Sequence, residues 1–261
     1  MNDEMQCSSC SKEDYSRIPI PRIIDKVNRL FANNELEAVG AVLEFWEKEA
    51  RTVSDKYSLL TLLNEEIGYY RRTGEKENGM NAIADAFSII NELGMESDPS
   101  SATIYLNAAT TMKAFGDATG AMPYYQKAKD IYDVSIDPND YKMAALYNNM
   151  SSSYKDLGDL ENCEKCCYKA IEILKNNEGC FGEIAVTLVN LAHLYYDQDP
   201  LDDRIYEKMD EAWECLMSDE NELDGNFAFL CSKCYPSFGF FGYFEREADL
   251  IRLIESIYEG H

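Results

Sequence analysis

Histidine is almost missing from this sequence: among 261 residues only His193 and His261 carry an imidazole. That leaves little for acid–base chemistry near neutral pH. No glycine-rich phosphate loop, GxSxG elbow or HExxH pair occurs either, and each is the minimal signature of a large enzyme class. Basic residues are scarce, 24 against 48 acidic ones, for a net charge of -24. Such a surface repels phosphate backbones and anionic lipid, which argues against nucleic acid and membrane partners. No apolar run approaches the ~18 residues of a membrane span. The opening MNDEMQCSSC lacks the basic and apolar regions of a secretory leader.

The nine cysteines are odd in number and scattered, which fits reduced thiols better than a disulfide framework. Three CxxC pairs occur: Cys7 with Cys10, Cys163 with Cys166, and Cys231 with Cys234. None has a second pair about 15 to 20 residues on, the spacing a zinc site needs. The expectation is a cytoplasmic, non-enzymatic protein without metal or cofactor.

What the sequence does have is a period of 42. Tyr105 recurs as Tyr147, Asn107 as Asn149, Gly116-Asp117 as Gly158-Asp159, and Ala128 as Ala170. The segment from Ala185 follows at 41 with Leu188, Asn190 and Tyr195 in register, and Tyr70, Gly74, Ile83 and Ala86 extend the series backwards. A looser copy runs over residues 23–46, with Asn34 where the others carry a turn glycine. Asparagine tolerates the left-handed backbone that glycine otherwise supplies.

Each copy reads as a helix, a tight turn and a second helix. The first helix has one apolar stripe at a period of 3.6. The second places small or medium residues four and then three apart: Gly79, Ile83, Ala86; Ala121, Tyr125, Ala128; Cys163, Cys167, Ala170. Small residues there let two helices approach closely, and Cys163, Cys167, Cys231 and Cys234 at core positions read as apolar filler. Two departures stand out. Asp199-Pro200 replaces a turn glycine, and Pro236 falls inside a first helix, which it should kink or end.

On Tyr147, Met150-Ser151, Tyr154, Gly158, Cys163, Cys167 and Ala170 the pattern resembles the tetratricopeptide repeat (TPR) family, with long copies most similar to the kinesin-light-chain type. The resemblance covers about residues 22–258. It implies an all-α fold: a right-handed superhelical solenoid of tandem antiparallel helix hairpins, five to six of them over residues 19–261, after a flexible tail at 1–18. It also implies that the first helices line a groove that binds a peptide or protein.

Positions facing away from the apolar stripe would line that groove. The sixth position holds Asn107, Asn149 and Asn190, with Asn148 beside the second. If neighbouring first helices lie ~10 Å apart, the three amides span about 20 Å, which an extended peptide covers in about six residues. An amide both donates and accepts, so it can pair with a peptide backbone of any sequence; local bonding within the helices is the plainer reading. A second ladder, Arg71, Lys113 and Lys155, would attract an acidic segment, although cations are also favoured in a helix's last turn by ~0.3–1 kcal/mol. His193 lies on the same side. The expected partner is a protein or peptide, extended or acidic. Alternatives are a receptor for a short signalling peptide, like the bacterial regulators built on such repeats, and a structural subunit that self-associates through its C-terminal helix, which is apolar on two sides.

Overall fold

The computed structural model describes residues 18–259. Cys7, Cys10 and His261 lie outside that range. Among the described residues there are twelve helices and no strand. They fall into two compact units, Met1–Glu96 and Ser97–His261.

The first unit contains α1 (Ile20–Ala32), α2 (Leu36–Thr52), α3 (Lys56–Thr73) and α4 (Lys76–Leu93). The second contains α5 (Pro99–Ala114), α6 (Ala118–Ser135), α7 (Tyr141–Asp156), α8 (Leu160–Leu174), α9 (Phe181–Gln198), α10 (Arg204–Leu216), α11 (Gly225–Phe240) and α12 (Phe244–Glu259). Consecutive helices pair as antiparallel hairpins, in the arrangement the period of 42 implies.

The repeated Gly-Asp explains the turns. Gly116 and Gly158 adopt φ of 89° and 74°, and Asn34 takes the same region at 57°. The aspartate that follows each glycine caps the next helix: Asp117 accepts from the Gly120 amide at 2.8 Å and Asp159 from that of Asn162 at 3.2 Å. Asp55, Asp98, Asp140 and Asp224 cap α3, α5, α7 and α11 in the same way. An N-terminal carboxylate pairs with otherwise unsatisfied amides and with the positive end of the helix. Part of the acid excess is therefore structural.

At Asp199-Pro200 the glycine is absent and the connection lengthens to residues 199–203. Asp199 accepts from the Leu201 amide and Asp202 from the Arg204 amide, both at 2.9 Å. Pro236 does not end its helix: α11 continues through it to Phe240. The last turn closes by a bond from the Phe241 amide to the Ser237 carbonyl at 3.0 Å, and Phe238 is anchored in the core.

The core follows the small-residue rule. Ala86, Ala128 and Ala170 are completely buried, and so is Ala212 on α10, a further step of 42 that the altered turn conceals. A polar network ties α8, α9 and α10 together. The Tyr195 hydroxyl donates to Glu164 at 2.7 Å and lies 2.9 Å from that of Tyr168. The Arg204 guanidinium covers the Tyr195 ring at 3.9 Å. Burial, followed by these two hydrogen bonds, raises the Tyr195 pKa.

Candidate peptide-binding face

The face is built on the first helices of the second unit, α5, α7, α9 and α11. Its four asparagines differ in their circumstances. The Asn149 amide donates to the Ala145 carbonyl of its own helix at 2.8 Å. Asn148 bonds across to α9: its Oδ1 lies 3.1 Å from the hydroxyl of Thr187, which is buried and also bonded to the Glu183 carbonyl at 2.8 Å. Asn107 is half-buried and already has an interaction of its own. Asn190 is exposed and its amide has no partner among the described residues. Half-buried amides bonded within or between helices fit the plainer reading, whereas Asn190 remains open to a ligand.

The two lysines of the ladder are paired. Lys113 on α5 meets Asp156 on α7 at 3.2 Å, and Lys155 on α7 meets Asp197 on α9 at 2.8 Å. Each pair is partly exposed and contributes at most about 1 kcal/mol. Each also cancels a charge that an acidic ligand would need. Arg71 is half-buried in the last turn of α3, in the first unit.

His193 bonds through Nε2 to the Ser237 hydroxyl of α11 at 2.8 Å. Its ring lies 5.4 Å and 4.9 Å from those of Phe240 and Phe241, and Tyr196 meets Phe240 edge-on at 5.1 Å. Burial lowers the His193 pKa, and the nearby Lys155 charge lowers it further. The imidazole is therefore mainly neutral at pH 7. Phe240 is 57% exposed. His193 and Tyr196 of α9 thus form an aromatic group with Phe240 of α11, and Asn190 lies one turn before His193 on α9.

Sequence reasoning missed Tyr196 and Ser237, and it assigned Phe240 to an aromatic cluster closing the end of the core, whereas the ring is exposed. It also missed a 640 Å³ cavity at the N-terminal ends of α9 and α11, floored by Phe227 and Leu230 and rimmed by Glu178, Glu183, Glu220 and Glu222. In so acidic a chain, no local carboxylate pattern marked that cavity out.

No group of three or more His, Cys, Asp or Glu side chains able to hold a metal occurs among the described residues. Cys163, Cys166, Cys167, Cys231 and Cys234 are free and buried. Burial pushes the Cys166 and Cys231 thiols up to about 11 and that of Cys234 to about 12, so these three remain protonated and poorly nucleophilic. No described helix is long and apolar enough to cross a membrane.

No curated protein matches the chain. Several solved structures do. One is a Podosopora anserina protein of nearly identical TPR-like repeats, described as a kinesin light chain, at 12% identity and a TM-score of 0.56 over 76% of this chain and 94% of that one. BtubC (BKLC) from P. vanneervenii matches at 18% identity and a TM-score of 0.52 over 93% and 92% of the two chains. A Rap protein complexed with Competence and Sporulation Factor matches at 15% identity and a TM-score of 0.57 over 90% and 73%. At these identities the likeness is one of fold. Residues 144–177 match the family model described as Tetratricopeptide repeat, and the hairpins around them share the fold of TPR-like, kinesin-light-chain-type repeat proteins.

Proposed function

We propose that the chain is a non-enzymatic scaffold that binds a protein or peptide segment across the first helices of its second unit. The observation that carries this reading is Asn190, an amide without a partner among the described residues, on the same helix as His193 and Tyr196, whose rings meet the exposed Phe240. Tyrosine and phenylalanine present large, rigid contact areas, and such residues dominate binding energies at interfaces. The backbone of a bound segment would pair with Asn190, and an apolar side chain would cover Phe240.

The experiment is to recover the partner by affinity capture from the native cytoplasm, then titrate it against variants. Phe240→Ala is expected to weaken binding by about 2 kcal/mol and Asn190→Ala by about 1 kcal/mol, neither with much dependence on salt. Asn149→Ala serves as a control, because its amide is already bonded to Ala145. Unchanged affinity in both Phe240→Ala and Asn190→Ala would place the binding surface elsewhere. Reception of a short signalling peptide is a special case of this reading, supported by the likeness to the Rap protein in its complex.

Self-association through α12 is a second reading. Leu250 and Ile257 face the core, while Phe244, Ile251 and Tyr258, seven residues apart, are exposed. Repetition at seven suits a helix–helix seam. Light scattering at increasing concentration should show association that Ile251→Glu abolishes. A wild-type monomer throughout would dispose of it.

A further inference from the structure

We propose that the first unit contains a proton-dependent latch: the protonated carboxyl of Glu66 lets α3 pack against α2 and α4, and its ionisation loosens that packing. Glu66 is only 4% exposed in the middle of α3, and no hydrogen bond or ion pair joins its carboxyl to the described residues. The charged groups around it are mostly of its own sign. From α2 come Glu44, Glu47 and Arg51, and from α4 comes Asp85. Glu65 and Tyr70 lie on its own helix. Among the described residues Arg51 is the cation facing it, and Arg51 already holds Glu47 at 2.8 Å and Asp85.

A carboxylate at this point would have little contact with water and neither a hydrogen-bond donor nor a free cation among the described residues. Taking an ion out of water without such compensation is expensive, whereas the neutral acid is tolerated. Burial, and then the charge of Glu47, accordingly pushes the Glu66 carboxyl up to about 8, and burial raises Glu65 as well. The Tyr70 hydroxyl, raised to about 12 by burial first and Glu66 next, stays neutral throughout.

The sign follows from which state binds the proton more tightly. The folded state holds the Glu66 proton to about pH 8, while the unfolded chain releases it near the ordinary value of 4.5. The contribution to stability is therefore complete below about pH 4.5, declines as pH rises, and is lost above about pH 8. A change of one pH unit within that window alters the folding equilibrium about tenfold.

The test is hydrogen exchange of the full chain, read by mass spectrometry at pH 6 and pH 9 and corrected for intrinsic exchange rates. Wild-type protein should lose protection in α2 and α3 by about tenfold or more between the two. Glu66→Gln, which keeps the shape without the charge, should hold its pH 6 protection at pH 9. Equal losses in both proteins, or no loss in the wild type, would overturn the proposal. Carbon NMR titration of the wild-type carboxyl needs no variant: a Glu66 midpoint near 8 supports the latch, and one near 4.5 removes it.

Discussion

Replacing Phe238 by alanine is expected to destabilise the second unit by about 3–5 kcal/mol, the cost of deleting a buried aromatic ring. Phe238 is completely buried on α11. It meets Trp213 of α10 edge-on at 5.7 Å and Tyr243, in the turn before α12, at 6.0 Å. One ring therefore joins three elements, and Pro236, two residues earlier, has already deprived α11 of an internal hydrogen bond. The surrounding helices can collapse into the space only by giving up their own contacts. For a unit of this size the loss corresponds to a fall in melting temperature of roughly 10 °C. Thermal unfolding followed by circular dichroism measures it, with Phe238→Leu as the milder comparison. A drop of under about 2 °C would mean that the ring is not the keystone described here.

The second large effect runs in the opposite direction, towards too much volume. Ala170 lies on the face of α8 that packs against α7 and is completely buried, as are Ala86, Ala128 and Ala212 at intervals of 42. Three added heavy atoms overfill a site that is already completely buried, so Ala170→Leu should cost about 1–3 kcal/mol through displaced backbone and forced rotamers. Propensity alone predicts almost nothing, since leucine is nearly as good a helix former as alanine. Glu172→Leu, an exposed change on the same helix, supplies the control. Equal melting temperatures for the two variants would show that the alanine series reflects ancestry of the repeats rather than packing.

How far the sequence disclosed this molecule depends on the range of the interaction concerned. Turn glycines, their substitute Asn34 and the capping aspartates act within a few residues, so period and composition reveal them directly. Ala212 escaped because the Asp199-Pro200 connection disturbs the register just ahead of it, although the alanine itself keeps the interval of 42. The site was legible as positions and not as partners. The Lys113 and Lys155 ladder was visible, but its neutralisation depends on Asp156 and Asp197 reaching across from the next repeat. Glu66 had a clue of its own. In LLNEEIGYY it continues the stripe of Leu59, Leu62, Leu63 and Tyr70, a carboxyl where an apolar side chain belongs. Whether such a residue is neutral depends on its surroundings in three dimensions, which no local pattern supplies.

The lysine–aspartate pairs also give the array a direction. The repeat of α7 and α8 carries both halves: its Lys155 reaches to the repeat after it and its Asp156 to the one before. A duplicated 42-residue module would bring both halves and could be inserted into the series with no charge left unmatched. Stacked the other way round, the same modules would set lysine against lysine and aspartate against aspartate. Growth by duplication of that module is thus compatible with this surface only in head-to-tail order, a restriction written in two neighbouring residues, Lys155 and Asp156.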